Sequence, residues 1–288
     1  MRTAPRSLQQ PGPRRAQRWI SAEGPARTLA FSLEPGLTIN EAIARPMIAA
    51  GFAGGTVELA GGALGPFTYV MPALSADPRY AAFYSQSYHP PGRTTLERAS
   101  ATFGTRENAP FIHCHGVWVE EDGSRRGGHV MPLDTTVLEP IRARAFGTGA
   151  AAFAVLPDQE TNFSLFTPVT VRAESASGAR VILLKVQPNE SIEDSAVAAC
   201  QAHGITEASI HGVGSLVCPV FANGRFSTSI ATELFLGPSR VRITPNAAAE
   251  VEMDVALVDI DGIIHEGRLA PGNVVCIACE LSVLEKPR

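Results

Sequence analysis

The chain repeats itself, and no other feature limits its possible folds as much. LEPGLTINEAIARPMIAAGFAGGTVELAGGAL (33–64) aligns with VQPNESIEDSAVAACQAHGITEASIHGVGSL (186–216), with Pro35 on Pro188, Gly51 on Gly204 and Gly61 on Gly214, each 153 apart. PFIHCHGVWVEEDGSRRGGHVMP (110–132) aligns with EVEMDVALVDIDGIIHEGRLAP (250–271), with Asp122-Gly123 on Asp261-Gly262 and Gly128 on Gly267, each 139 apart. Between these blocks Glu97 aligns with Glu233 at an offset of 136, so the first copy carries about 17 extra residues before Glu97. A fixed offset of this kind marks a duplicated unit. The expected organisation is an Arg-rich N-terminal arm over 1–27, a first copy over 28–158, a linker over 159–178 and a second copy over 179–286.

Each copy reads the same way. An apolar strand (TLAFSL; RVILLKV) leads into a helix. The first helix is expected from about Thr38 to Gly51; the second starts at the N-cap Ser191, with Asp194 three residues on, and ends at Gly204. A Gly-rich strand, an antiparallel hairpin around Asp-Gly and a final apolar strand follow. The expected class is α+β, each copy a mostly antiparallel sheet packed with one or two helices.

The 288 residues are 45% hydrophobic and 18% charged, which suits a folded globular chain. Net charge is −4, but residues 1–27 hold six arginines against Glu23, which leaves −9 for the rest. A body at −9 is a poor surface for nucleic acid, whose phosphates need clustered cations; the arm alone offers a cationic contact. No run reaches the ~18 apolar residues of a membrane span. The start of the chain lacks the apolar stretch of a secretory signal. Five cysteines in no framework spacing point to reduced thiols and a cytoplasmic setting. Cys276 and Cys279 fall on one strand three apart, which sends them to opposite faces.

The first copy carries His113-Cys114-His115 on a strand, so both imidazoles share a face. The hairpin then delivers Gly127-Gly128-His129. A two-residue turn at Asp122-Gly123 would pair His129 with Gly116; a one-residue bulge at Gly127-Gly128 would pair it with His115 and gather three imidazoles. Three histidines with an open fourth position suit zinc, and similar nitrogen sites hold iron, nickel or copper. In the second copy Glu252, Asp254 and Arg268 stand at the three histidine positions, so a charge-assisted pair replaces an ion there. The extra residues of the first copy fall within 71–98, which holds Tyr80, Phe83, Tyr84, Tyr88 and His89. Such a loop beside a metal reads as a substrate lid. His89 is a candidate acid/base, Glu97 a candidate fourth ligand or general base, and Tyr88, Arg93 and Arg98 candidates for holding a carboxylate substrate.

The order of early helix, Gly-rich strand (GGTVELAGGALG), Glu97, His113-x-His115, Asp122-Gly123 and Gly127-Gly128-His129 resembles the plant- and prokaryote-conserved (PPC, or DUF296) domain. The second copy resembles it in GITEASIHGVGSL and departs at all three histidines. The resemblance implies an α+β fold, a homotrimer and a metal on the histidines. It also brings DNA binding into view, because plant members carry AT-hooks, although no Arg-Gly-Arg-Pro hook occurs in this chain. The expected function is a metal-dependent enzyme, a hydrolase first and a lyase or hydratase second, with zinc as its first metal and a small polar or carboxylate metabolite as substrate. The alternatives are a DNA-binding regulatory protein or a non-catalytic ligand-binding trimer with a structural metal.

Overall fold

In the computed structural model, residues 7–174 and 178–286 are described; Arg2 and Arg6 of the arm and residues 175–177 of the linker lie outside them. Each half of the chain builds one large sheet and one helix, and the inserted loop of the first adds a two-stranded sheet, Pro72–Ala73 with Phe83–Tyr84. The first half contributes β2 (Arg27–Leu33), α1 (Ile39–Ala49), β3 (Gly54–Ala60), β4 (Thr94–Arg106), β5 (Ala109–Val119), β6 (Arg125–Val130) and β7 (Ile141–Thr148). The second contributes β8 (Arg180–Val186), α2 (Ile192–Ala202), β9 (Glu207–Val217), β10 (Thr232–Arg242), β11 (Glu250–Asp259), β12 (Ile264–Arg268) and β13 (Val274–Glu285). The strands lie in the order β2-β7-β3-β4-β5-β6 and β8-β13-β9-β10-β11-β12, so the two halves share one topology. The architecture is mostly antiparallel sheet and poor in helix, with one parallel contact, Ala154 beside Thr105.

The helices form where their caps specify. Thr38 accepts a hydrogen bond from the Glu41 amide while the Glu41 carboxylate accepts from the Thr38 amide, a reciprocal capping box. Ser191 Oγ accepts from the Asp194 amide. Both helices are followed by a left-handed glycine, Gly51 (φ 75°) and Gly204 (φ 67°), the conformation that ends a helix without a Cβ clash. The buried face of α1 presents Ile39, Ile43 and Met47, spaced four apart, to the first sheet; α2 presents Ile192, Ala196 and Ala199 to the second. Each large side chain buried this way contributes about 1.5–3 kcal/mol. Among the described residues no helix is long and apolar enough to cross a membrane.

Two segments expected to be connections take regular structure. Trp19–Pro25 of the arm, here β1, pairs antiparallel with β8 and becomes the edge strand of the second sheet. Within the linker, Ser164–Thr170 pairs with Ala151–Pro157. Both are short edge strands of mixed composition, WISAEGP and SLFTPVT, which gives little strand signal. Among the described residues the arm's arginines are paired: Arg18 binds Glu160 and Glu190 at 2.8 and 2.7 Å, Arg14 binds Glu190 at 2.8 Å, and Arg15 lies 3.7 Å from Asp158. Deeper in, Lys185 of β8 and Asp158 form a fully buried pair at 2.8 Å. The five cysteines are buried and unbridged; Cys276 and Cys279 enter different apolar clusters, as opposite strand faces require.

The halves meet face to face. Val117 packs with Val213, Phe235 and Ala256, and Thr56 Oγ1 lies 2.8 Å from Ser282 Oγ. Glu266 bridges Arg98 and Arg125 of the first half at 2.7 and 2.9 Å.

Candidate metal centre

His113 and His115 project from β5 on one face, and His129 of β6 is the Cα partner of His115. The pairing that gathers the three imidazoles is reached differently from the sequence expectation. No bulge interrupts β6; Val119 pairs with Arg125 and the Glu120 amide donates to Ser124 O, so the extra residue sits in a three-residue turn. Gly123 takes the left-handed conformation this turn needs (φ 84°).

The fourth group comes from the other half. Glu233 of β10 places Oε2 2.5 Å from His115 Nε2. One ligand atom from each of His113, His115, His129 and Glu233 lies within 4.8 Å of the others. Glu97, the carboxylate expected here, is not part of the cluster. It is the extra residue of a bulge between Leu96 and Arg98, and its carboxylate is held by Arg125 at 2.8 Å. Strand register gives the place of Glu233, opposite Val258, to Thr95, opposite Val119. The sequence alignment of the two glutamates misses that bulge.

Hydrogen bonds fix the imidazole tautomers. His115 Nδ1 lies 2.8 Å from the Leu234 carbonyl, which only accepts, so Nδ1 carries the proton. His113 Nδ1 lies 2.9 Å from the Glu280 carboxylate and carries its proton for the same reason. The Nε2 atoms of these rings then present lone pairs, yet they lie 2.8 Å apart with the Glu233 carboxylate beside them. His129 Nδ1 is buried without a hydrogen-bond partner. Lone pairs and a carboxylate converging in a buried place repel one another unless a cation or a shared proton lies between them. Three imidazoles and one carboxylate are a donor set of the kind zinc takes. A Glu280 carboxylate and a backbone carbonyl behind the rings are the outer partners that orient metal-binding histidines. The residues therefore fit a divalent metal.

The protons respond accordingly. Burial opposes charging His113, but Glu280 and Glu233 outweigh it and raise its pKa above the ordinary histidine value. Burial and the two neighbouring imidazoles push His129 well below that value.

A cavity of about 60 Å3 ends on His113, His115 and Glu233 and is walled by Phe83, Tyr84 and Phe163. Phe83 and Tyr84 come from the inserted loop, and the Tyr84 ring lies 5.0 Å from that of His129. The other loop candidates lie elsewhere. Tyr88 stacks on Tyr69 at 5.0 Å, and His89 Nδ1 lies 3.0 Å from Thr68 Oγ1. Arg93 is bound to Glu139 at 2.7 Å, and Arg98 is held by Glu266 and lies over Phe235. In the second half Arg268 binds Glu252 at 2.7 Å and Asp254 at 2.9 Å, a guanidinium where the first half has His129. The residues that sequence reasoning missed are Glu233 as a partner of the imidazoles and Glu280 behind them. Their only signal was carboxylates on apolar strands of the second copy.

No protein-family model and no curated protein matches the chain. Among solved structures, a PPC protein of Pyrococcus horikoshii is similar to it, with 14% identity and a TM-score of 0.40, over 53% of this chain and 97% of that one. The chain is similar to PPC proteins. A metal-containing protein of Archaeoglobus fulgidus matches at 16% identity and a TM-score of 0.39, over 49% of this chain and 92% of its own. A candidate DNA-binding protein of Ralstonia eutropha matches at 13% identity and a TM-score of 0.34, over 48% and 88%.

Proposed function

We propose that this is a metal-binding protein in which one divalent transition ion, zinc first, ties the two halves together through His113, His115, His129 and Glu233. The observation that carries the reading is the convergence of lone pairs on a carboxylate from the opposite half. The organisation behind it is a duplicated unit, 28–158 and 179–286, whose second copy has lost its own histidines. When bound, such an ion polarises a carbonyl or activates water. The residues of the chain do the rest: Glu280 and the Leu234 carbonyl hold the imidazoles in their tautomers, Phe83, Tyr84 and Phe163 restrict water, and Glu233 Oε2 accepts a proton or would donate a lone pair to the ion.

Four protein ligands favour a structural ion that locks the halves together, because a catalytic site keeps a position open. The cavity ending on the cluster favours the second reading, metal-dependent hydrolysis of a small polar molecule, with a lyase or hydratase step as its variant. The experiment is metal analysis with calorimetry. About one equivalent in the protein and none in His113→Ala/His115→Ala supports the centre; no metal in either after zinc is added overturns it. A large fall in melting temperature on chelation, with no turnover gained on reloading, assigns the structural role. Turnover of small esters or lactones that returns with the ion assigns the hydrolytic one.

The Ralstonia eutropha protein and a similar one from Bacteroides thetaiotaomicron, both candidate DNA-binding proteins, support a DNA-associated reading. In this chain it would act through the arm and a trimer. Arg14, Arg15 and Arg18 would have to leave carboxylate partners to reach phosphates. Salt-dependent binding of a duplex, lost in Arg14→Gln/Arg15→Gln, would establish it; no binding at low salt removes it.

A further inference from the structure

A groove of about 870 Å3 runs between the halves, away from the imidazoles. The repeat explains its position. Glu252, Asp254 and Arg268 hold the places of His113, His115 and His129, 139 residues on, and all three line the groove. Arg142 faces them from β7. It pairs with Ala60 as Glu280 pairs with Val213, and Ala60 and Val213 are repeat mates 153 apart. Arg142 therefore stands where the second half has Glu280. The groove is the counterpart of the metal centre on the other side of the molecule, with its charges exchanged.

Six basic side chains and three carboxylates line it, a local +3 on a chain of net −4. Four of the six cations have carboxylate partners within the structure: Arg98, Arg240, Arg268 and Lys286. Arg142 and Arg144 have none among the described residues. They are exposed and two apart on β7, so they project from one face about 6–7 Å apart along the strand. The floor between them and the second half is apolar and aromatic, with Phe146, Phe235 and Leu236. Arg144 lies over the Phe146 ring at 4.9 Å, and His211 stacks on the same ring at 3.8 Å. His211 is itself fixed by Ser209 at 2.9 Å and by Glu58 Oε1 at 2.7 Å; Glu58 is the cross-strand neighbour of Arg144 but forms no ion pair with it within 4 Å.

We propose that this groove binds a small organic anion, its carboxylate or phosphate gripped by Arg142 and Arg144 and its compact apolar or aromatic body lying on Phe146 and Phe235. Guanidinium groups recognise carboxylate and phosphate through paired hydrogen bonds. A volume of this size suits a small-molecule ligand. The three carboxylates in the lining disfavour a continuous polyanion and favour a single charged head.

Titration calorimetry on the full chain tests this, with phenyl phosphate, benzoate, inorganic phosphate and benzyl alcohol as probes. Phenyl phosphate and benzoate bind, benzyl alcohol does not, and Arg142→Gln/Arg144→Gln weakens binding about tenfold or more. Arg93→Gln, at an arginine held by Glu139 outside both the groove and the metal centre, leaves it unchanged. Should the Gln pair fail to fold, Arg142→Lys/Arg144→Lys replaces it; that pair keeps the charge, loses the paired geometry and binds several-fold more weakly. No binding of phenyl phosphate or benzoate at millimolar concentration overturns the proposal, as does unchanged affinity in both double variants. Inorganic phosphate binding as tightly as phenyl phosphate overturns the organic class. A wild-type dimer in sedimentation that Arg142→Gln/Arg144→Gln dissolves makes the groove a contact between copies and overturns the ligand reading.

Discussion

Glu233 and Glu97 look alike in sequence and differ in work. Glu233 Oε2 sits 2.5 Å from His115 Nε2, with only about a tenth of its side chain exposed, whereas Glu97 is bound to Arg125 in a half-wet bridge. Glu233→Gln is expected to weaken zinc binding by at least ten- to hundredfold, and Glu97→Gln to leave it unchanged, both read by competition with a chelating dye. Acidity gives a second check. A metal ligand must lose its proton, and Glu280 with Glu233 raises the pKa of His113 above the ordinary 6.5. Zinc affinity should therefore begin to fall, as pH is lowered, already above pH 6.5. In the metal-free protein this group's effect on folding runs the other way: its raised pKa stabilises the fold below pH 6.5, and that contribution is lost as pH rises through the folded value. Glu280→Gln removes the cause and moves the onset of metal loss to lower pH.

The hairpin β5–β6 shows how an element decides a site. Strand residues alternate faces, so a shift of one residue turns His129 away from His115. The three-residue turn around Gly123 sets that register. Deleting Asp122 should leave a folded chain that no longer retains metal, with far-ultraviolet circular dichroism unchanged. Gly123→Val, with φ at 84°, should cost about 1–2 kcal/mol in denaturant unfolding. The strand, the shared face and the three imidazoles were legible in His113-x-His115 and His129, because period-two alternation is local. The turn length was not, since Asp-Gly fits loops of two or three residues equally well. Glu233 was not legible either. Its partners lie in the other half of the chain, and register gives its place in the first half to Thr95, two residues from Glu97 and across a one-residue bulge. Both helices were legible through Thr38 and Ser191, whose caps act within four residues. The order of the arm was not legible, because pairing of Trp19–Pro25 with β8 is a long-range event that its composition does not announce.

At the scale of the molecule, the halves are joined by groups that few aligned residues would reveal. Lys185 and Asp158 are each about 1% exposed and satisfy one another at 2.8 Å. Burial lowers the pKa of Lys185, while its partner lowers that of Asp158. Asp158→Ala would leave a buried ammonium unpaired and should cost about 3–5 kcal/mol in chemical denaturation. Asp158→Ala/Lys185→Met should recover much of that loss. Strand β1 raises a different matter, the timing of synthesis. Its partner β8 follows it by about 160 residues. At roughly 5–20 residues per second, a ribosome delivers that partner about 8–30 s later. Through that interval Trp19–Pro25 has been made but has no ladder partner, and Ala26 alone tethers it to β2, which can already be folding into the first sheet. Nascent chains stalled before residue 180 should expose this strand to protease and to one another, and those stalled well beyond residue 286 should not.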